Sequence, residues 1–182
     1  ADGSNTTVTS DGDKNNIING VPDWVYQEEF GILNSRKWSP SSNTLAFIRF
    51  DESQVPMYSM TMYEGDCHPN KDYSLYPGSY DYKYPVAGEK NSVVSVMAYD
   101  LATSRMQKMN LPITDNDYVP HIDYGTQDDR LMVSTLNRTQ NDLHIYAVNP
   151  ATAQATEVYA EQSTSWIDSK SANDVMYYDT FF

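Results

Sequence analysis

Apolar and polar positions along this chain form short runs that are separated by polar turns. Val, Tyr and Thr are enriched where the apolar residues cluster, and these residue types favour strands over helices. Few segments keep helical spacing over more than two turns, although residues 23–30, which follow Pro22, predict a short helix. The pattern predicts an all-β fold, with strands at residues 45–50, 93–99, 105–109, 131–136, 143–148 and 156–159.

Two stretches of the chain repeat the same order of strands and turns. The segments 38–50 and 122–136 each place a polar turn before a strand. A hairpin follows each of them, and its turn, at residues 98–103 or 147–152, aligns with the other turn without gaps. A repeat of about 40–50 residues with four short strands is typical of a β-propeller blade. We therefore predict a partial β-propeller of about three four-stranded blades, with a third copy beginning at Trp166.

Chain length limits what this architecture can be. At about 45 residues per blade, the 182 residues cannot close a large propeller ring. We predict that residues 1–182 are a fragment of a larger propeller domain, whose exposed blade edges are paired or covered. A β-sandwich is the alternative fold, because two aligned hairpins also occur there. The conserved order of the turns in both copies favours the propeller.

Composition and charge exclude several classes of partner and site. The net charge of −13 at pH 7 repels phosphate backbones, so we expect no nucleic-acid partner. No run approaches the roughly 20 apolar residues of a spanning helix, so we predict no membrane span in this chain. Cys67 and His68 are far in sequence from His121 and His144, and there is no second cysteine. Because a zinc site needs three or four converging ligands, we predict no metal site and no cofactor.

An insertion at residues 52–84 interrupts the first repeat and is rich in tyrosine. The tyrosines in it are Tyr58, Tyr63, Tyr73, Tyr76, Tyr80, Tyr82 and Tyr84. One interpretation is a hairpin that covers its own blade, and the other is a projecting arm that pairs with a second subunit. Exposed tyrosine is common at protein interfaces, which is the basis of the second interpretation.

Four collinear segments carry a resemblance to a known family. They are NIINGVPDWVYQEEF at residues 16–30, WSP at 38–40, YPVAGEKN at 84–91 and LNRTQN at 136–141. Together they resemble the propeller segment of the dipeptidyl peptidase IV branch of the prolyl oligopeptidase family of serine peptidases. The resemblance implies an eight-bladed propeller that caps a C-terminal α/β-hydrolase domain, and a protein that acts in the periplasm, at the cell surface or as a secreted enzyme. It also implies that the insertion at residues 52–84 is an arm that contributes to a homodimer, which favours the arm over the covering hairpin.

The same resemblance implies a function and a site. Enzymes of this family release dipeptides from free peptide N-termini and prefer Pro or Ala as the second residue. Glu28 and Glu29 match the acidic pair that binds the α-ammonium group of the substrate. Two adjacent carboxylates can share one ammonium, which has three donors, and a neutral acylated terminus cannot satisfy both charges. Gln27 departs from the run of three acids that some members carry.

Other interpretations of the acidic pair and of the chain remain open. Without the resemblance, Glu28 and Glu29 would be an ordinary acidic first turn, stabilised by the helix dipole. No Gly-x-Ser-x-Gly elbow occurs in the sequence, so no catalytic residue is assigned and the chain alone is expected to be inactive. The alternative function is a protein-binding or dimerisation propeller module of a protein that is not a peptidase.

Overall fold

A computed structural model describes residues 3, 5–63 and 75–168. Within them the chain forms a short helix and eleven strands. In chain order these are β1 (Ile17–Asn19), α1 (Trp24–Glu28), β2 (Arg36–Trp38), β3 (Thr44–Asp51), β4 (Met57–Met62), β5 (Gly78–Lys83), β6 (Val93–Asp100), β7 (Arg105–Lys108), β8 (Tyr118–Tyr124), β9 (Leu131–Leu136), β10 (Asp142–Val148) and β11 (Ala155–Gln162). Tyr73, the Cys67–His68 pair and the third repeat beyond residue 168 lie outside the described residues.

Two antiparallel sheets have the strand order of propeller blades. The second blade is the simpler one, because its strands β8, β9, β10 and β11 follow each other in space as they do in the sequence. In the first blade the order is β1, β3, β6 and β7, and β2 pairs with β3 on the same edge as β1. β1 pairs with residues 49–51 of β3, and β2 pairs with residues 45–47 of the same strand. The predicted all-β partial propeller is confirmed, and these sheets do not close into a ring.

The repeat found in the sequence corresponds to equivalent turns in the two blades. Asp100 Oδ1 accepts hydrogen bonds from the backbone N–H and the hydroxyl of Thr103, both at 2.7 Å. Asn149 Oδ1 plays the same part in the second blade, where it accepts the backbone N–H of Ala151 at 2.9 Å and of Thr152 at 3.2 Å. A short polar side chain at the start of each turn thus replaces the missing strand partners of these N–H groups.

A shared apolar core joins the two blades. Ile48, Phe50 and Val96 come from the first blade, Val119 and Val133 come from the second, and all five belong to one cluster of buried side chains. Each such side chain contributes about 1.5–3 kcal/mol when it is fully buried. The two blades are therefore held together by a common core as well as by their separate hydrogen-bond ladders.

The insertion forms a separate two-stranded hairpin of β4 and β5. We call this hairpin the arm. Its strands pair from Met57 with Lys83 to Met62 with Gly78, and no other described strand pairs with them. Tyr58 is 44% exposed and Tyr80 is 42% exposed, so the arm leaves much of its aromatic surface in solvent. The arm is joined to the first blade through β3 and β6, which flank it in the sequence.

None of the helices in the described part of the chain has the length and apolar character that crossing a membrane requires.

Candidate functional site

Helix α1 lies between the two short strands that share the edge of the first blade. β1 ends at Asn19, and Gly20 follows it with a φ of 70°, a left-handed conformation that favours glycine. The Gly20 N–H still donates to the Ile48 carbonyl at 2.9 Å, and the chain then leaves the sheet. It returns to the same edge at β2, so α1 and the loop after it interrupt a single edge strand.

Asp23 starts the helix and fixes it to the first blade. Its Oδ1 accepts the backbone N–H of Tyr26 at 2.9 Å, which makes it the N-cap. Its Oδ2 accepts the hydroxyl of Ser92, just before β6, at 2.6 Å. Asp23 is buried, and burial raises the pKa of its carboxyl group although the bonds from Ser92 and Tyr26 act in the opposite direction.

The two faces of α1 have different roles. Val25 and Tyr26 are buried, whereas Glu28 and the following Glu29 are exposed. Gln27 is also exposed, but its side chain turns back and donates to the Pro22 carbonyl at 2.8 Å. The structure therefore places the two predicted acids side by side on the surface, and the residue that departs from the acidic run is occupied by a local hydrogen bond.

The position of the acids within the helix excludes one interpretation. Glu28 is the last residue of α1 and Glu29 is its C-cap, so the acids lie in the last turn and not in the first. The interpretation of an acidic first turn stabilised by the helix dipole is wrong, because α1 begins at its N-cap Asp23, several residues earlier than that interpretation requires. Carboxylates at a helix C-terminus face its partly negative end, which costs about 0.3–1 kcal/mol each. Local helix energetics therefore do not account for this acidic pair.

Tyr26 attaches α1 to the second blade. Its hydroxyl oxygen accepts the backbone N–H of Val119 in β8 at 2.8 Å. Its ring is 4.8 Å from the ring of Phe50, 5.2 Å from that of Phe30 and 6.2 Å from that of Tyr118. These edge and tilted contacts form an aromatic cluster under the helix.

A polar group of side chains from both blades lies beside this cluster. Asn91 Nδ2 donates to the Tyr118 hydroxyl at 2.6 Å, and the Arg138 guanidinium donates to the Glu89 carbonyl. Burial is the main reason that the pKa of Tyr118 is raised; Arg138 and Asn91 act against the shift, and Glu29 adds to it. The Tyr118 hydroxyl is thus influenced by the positive charge of Arg138 and by the negative charges of Asp23 and Glu29.

Asn91, Tyr118 and Arg138 were not singled out from the sequence. Asn91 and Arg138 fall within the segments YPVAGEKN and LNRTQN that carry the family resemblance, and this was the signal that could have drawn attention to them. Tyr118 had no such signal, because its contact with Phe30 joins residues far apart in the chain.

Glu52 is a second buried acid near the start of α1. It follows β3 directly and is 6% exposed. Burial and the negative charge of Asp23 raise its pKa to about 7, while Lys83 acts in the opposite direction. The Lys83 ammonium donates to the Val55 carbonyl at 2.7 Å, at the base of the arm. The junction of the blade, the helix and the arm therefore contains two carboxyl groups with raised pKa values.

An ion pair joins the edges of the two blades. Lys37 Nζ in β2 lies 2.8 Å from Asp123 Oδ2 in β8. Burial acts to raise the pKa of Asp123, but hydrogen bonds from His121 and Lys37 outweigh it and lower that pKa to about 2. The edge strand that carries α1 is thus fixed electrostatically to the second blade.

Within the described ranges, no three His, Cys, Asp or Glu side chains are grouped so that they could hold a metal ion.

Comparisons with known proteins agree with the four sequence segments and with the fold. The sequence model of the family described as "Dipeptidyl peptidase IV (DPP IV) N-terminal region" matches residues 1–181. The chain belongs to this family. The crystal structure of Porphyromonas gingivalis dipeptidyl peptidase 4 superposes on the chain with a TM-score of 0.84 at 43% identity, over 91% of this chain and 22% of that one. The predicted family is therefore confirmed.

Curated relatives of this dipeptidyl peptidase IV N-terminal region come from animals and fungi. Venom dipeptidyl peptidase 4 of Vespula vulgaris is 32% identical over 90% of this chain and 21% of its own length. Dipeptidyl peptidase 4 of Trichophyton tonsurans is 30% identical over 91% of this chain and 22% of its own length. The chain thus spans about a fifth of the length of these relatives.

Proposed function

We propose that this chain is the propeller part of a dipeptidyl peptidase IV-like serine exopeptidase, and that Glu28 and Glu29 bind the α-ammonium group of the peptide substrate. The full-length parent would use a C-terminal α/β-hydrolase domain to release Xaa-Pro and Xaa-Ala dipeptides from free N-termini. The observation that supports this most strongly is the exposure of both acids together at the end of α1. That helix is tied to both blades in a chain of this family.

The chemistry of the pair fits an ammonium ligand. Two carboxylates at the negative end of a helix increase the local negative potential, which attracts a cation and repels a carboxylate. A primary ammonium has three donors and can bond to both acids at once. Fixing the amine at one point would leave space for two residues before the scissile bond, and this accounts for the release of dipeptides.

Single substitutions in the full-length parent test this function. Glu28→Gln and Glu29→Gln keep the shape of each side chain and remove its charge. We expect each to lower kcat/KM for a free-amine Xaa-Pro substrate; where the assembled parent buries the pair around the ammonium, the loss corresponds to about 2–5 kcal/mol of transition-state binding. Glu157→Gln and Glu161→Gln are matched controls, because both change exposed glutamates of β11 in the other blade. Unchanged kcat/KM in both α1 variants would refute the assignment of the pair.

We also propose that the arm forms a homodimer contact. The supporting observation is the exposed set of Tyr58, Tyr80, Met57 and Met60 on a hairpin that pairs with no described strand outside itself. Aromatic and methionine side chains are enriched at protein interfaces. Deleting residues 55–82 from the full-length parent should change a dimer into a monomer in analytical ultracentrifugation. A dimer that survives the deletion would contradict this proposal.

The compartment and the competing function are tested on the parent. We propose that the parent acts outside the cytoplasm, in the periplasm, at the cell surface or as a secreted protein. Cell fractionation of the producing organism tests this directly. An intact Gly-x-Ser-x-Gly elbow followed by Asp and His in the parent would favour the peptidase. A degenerate elbow would favour a binding or dimerisation module without peptidase activity.

A further inference from the structure

The contact between α1 and the second blade uses an irregularity in strand β8. The pairing of β8 with β9 follows one register at Tyr118 with Leu136 and resumes in another at His121 with Ser134. Val119 and Pro120 fall inside this register shift. Pro120 has no N–H, and the N–H of Val119 donates to the hydroxyl of Tyr26. Bulges of this kind redirect backbone groups out of the sheet and are typical of functional regions.

The Tyr26 hydroxyl has no role in filling the core. Tyr26 is 1% exposed, and phenylalanine would fill the same space between Phe50 and Phe30. Burying a hydroxyl costs free energy unless it forms a hydrogen bond. The N–H of Val119 supplies a hydrogen bond to the Tyr26 hydroxyl and offsets this cost. This bond joins residues that are 93 positions apart in the sequence and on different blades.

A second contact holds the other end of the same helix. The Asp23 carboxylate caps α1 and accepts the hydroxyl of Ser92, which belongs to the first blade. α1 therefore connects the blades, with one polar contact on each side. Glu28 and Glu29 follow Tyr26 by two and three residues, so little backbone separates them from the contact with the second blade.

We propose that Tyr26 and Ser92 are positioning residues, which hold the acidic pair of α1 at a fixed place relative to both blades. This inference rests on the proposed function, because the consequence concerns amine binding by Glu28 and Glu29. The Tyr26 hydroxyl and the Ser92 hydroxyl act only through the helix and do not touch the substrate. Loss of either contact lets α1 shift, and the two carboxylates then no longer converge on one ammonium.

The test is a double-mutant cycle in the full-length parent. Tyr26→Phe removes one hydroxyl and should raise KM for a free-amine Xaa-Pro substrate on the order of 10-fold, with kcat within about twofold of the wild type. Ser92→Ala should act in the same direction, and it serves as the second variant if Tyr26→Phe does not fold. Ile145→Val is the matched control, because Ile145 is fully buried in the second blade and does not belong to the buried cluster that contains Tyr26. It should lower the melting temperature and leave KM unchanged.

The decisive comparison repeats Tyr26→Phe and Ser92→Ala in a Glu28→Gln/Glu29→Gln background. If these residues act through the acidic pair, their effect on KM disappears when the pair has lost its charge. An equal rise of KM in both backgrounds would show a general structural effect and overturn the inference. Unchanged KM in the original background, while the pair variants raise KM, would overturn this inference alone. If the pair variants themselves leave KM unchanged, the proposed function fails and this inference fails with it.

Discussion

The two blades share one strand order but differ in what interrupts it. The second blade runs through β8, β9, β10 and β11 without an inserted element, whereas the first blade contains α1 within its edge strand and the arm between β3 and β6. Both elements for which we propose a function are therefore insertions in the first blade. The second blade contributes support, through the N–H of Val119 and the carboxylate of Asp123.

This difference shows how a repeated scaffold accommodates inserted segments. The hydrogen-bond ladder of a blade satisfies its own backbone groups, so an added segment can leave the sheet and return without breaking the ladder. The segment still needs fixed contacts, because a five-residue helix is far too short to be stable alone. The neighbouring blade supplies one of these contacts, so the helix that carries the two acids is held by both blades although the acids lie on one of them.

The largest expected effect comes from the core that the blades share. Phe50 is fully buried and contacts Tyr26 under α1, so Phe50→Ala should cost about 3–5 kcal/mol of unfolding free energy. Hydrogen exchange on the full-length protein should show loss of protection in β3 and in β9 together. Leu101→Ala in the turn after β6 is the control, and it should stay within about 0.5 kcal/mol because Leu101 is 46% exposed and lies outside the arm. Loss of protection that is confined to the first blade would show that the blades unfold separately.

The next effect concerns the junction that the insertions create. The pKa of Glu52 is raised from 4.5 to about 7, so the folded state binds its proton more tightly than the unfolded state does. Ionisation of Glu52 therefore costs folding free energy. This cost grows as pH rises from 4.5 to 7 and reaches its full size above pH 7. Glu52→Gln should therefore stabilise the protein by about 1–3 kcal/mol at pH 8 and change little at pH 4. Urea unfolding at the two pH values measures this.

The control for that experiment is an acid without such an environment. Glu161→Gln, on the exposed strand β11, should have the same small effect at both pH values. If Glu52→Gln had no effect at pH 8, the negative charge on Glu52 would not destabilise the folded state. The junction between α1 and the arm would then carry no electrostatic cost, and the first blade would differ from the second only in its inserted segments.

The sequence predicted the blades better than it predicted the site. Strand alternation and turn residues act locally, so the repeated hairpins and the short helix after Pro22 could be identified from neighbouring residues. The family segments also identified Glu28 and Glu29, which the structure places together on the surface. The helix predicted over residues 23–30 already put those acids towards its end, so the first-turn interpretation disagreed with that prediction; what the sequence did not show is the bond from Ser92 to Asp23, 69 residues away. Contacts of that range leave no periodic pattern in a single sequence.

The smallest effect concerns the ion pair that joins the blade edges. The pKa of Asp123 is lowered from 3.8 to about 2, so its ionised form is favoured in the folded state. The ionised Asp123 carboxylate stabilises the folded state fully above pH 3.8, and this stabilisation is lost as pH falls from 3.8 to 2. Asp123→Asn should cost about 1–2 kcal/mol at pH 6, and the difference from the wild type should vanish near pH 2. Urea unfolding between pH 6 and 2 measures this, with Asp115→Asn on an exposed turn as the control. If the difference in unfolding free energy between the wild type and Asp123→Asn stays the same down to pH 2, the contribution of Asp123 comes from packing and hydrogen bonding and not from its charge.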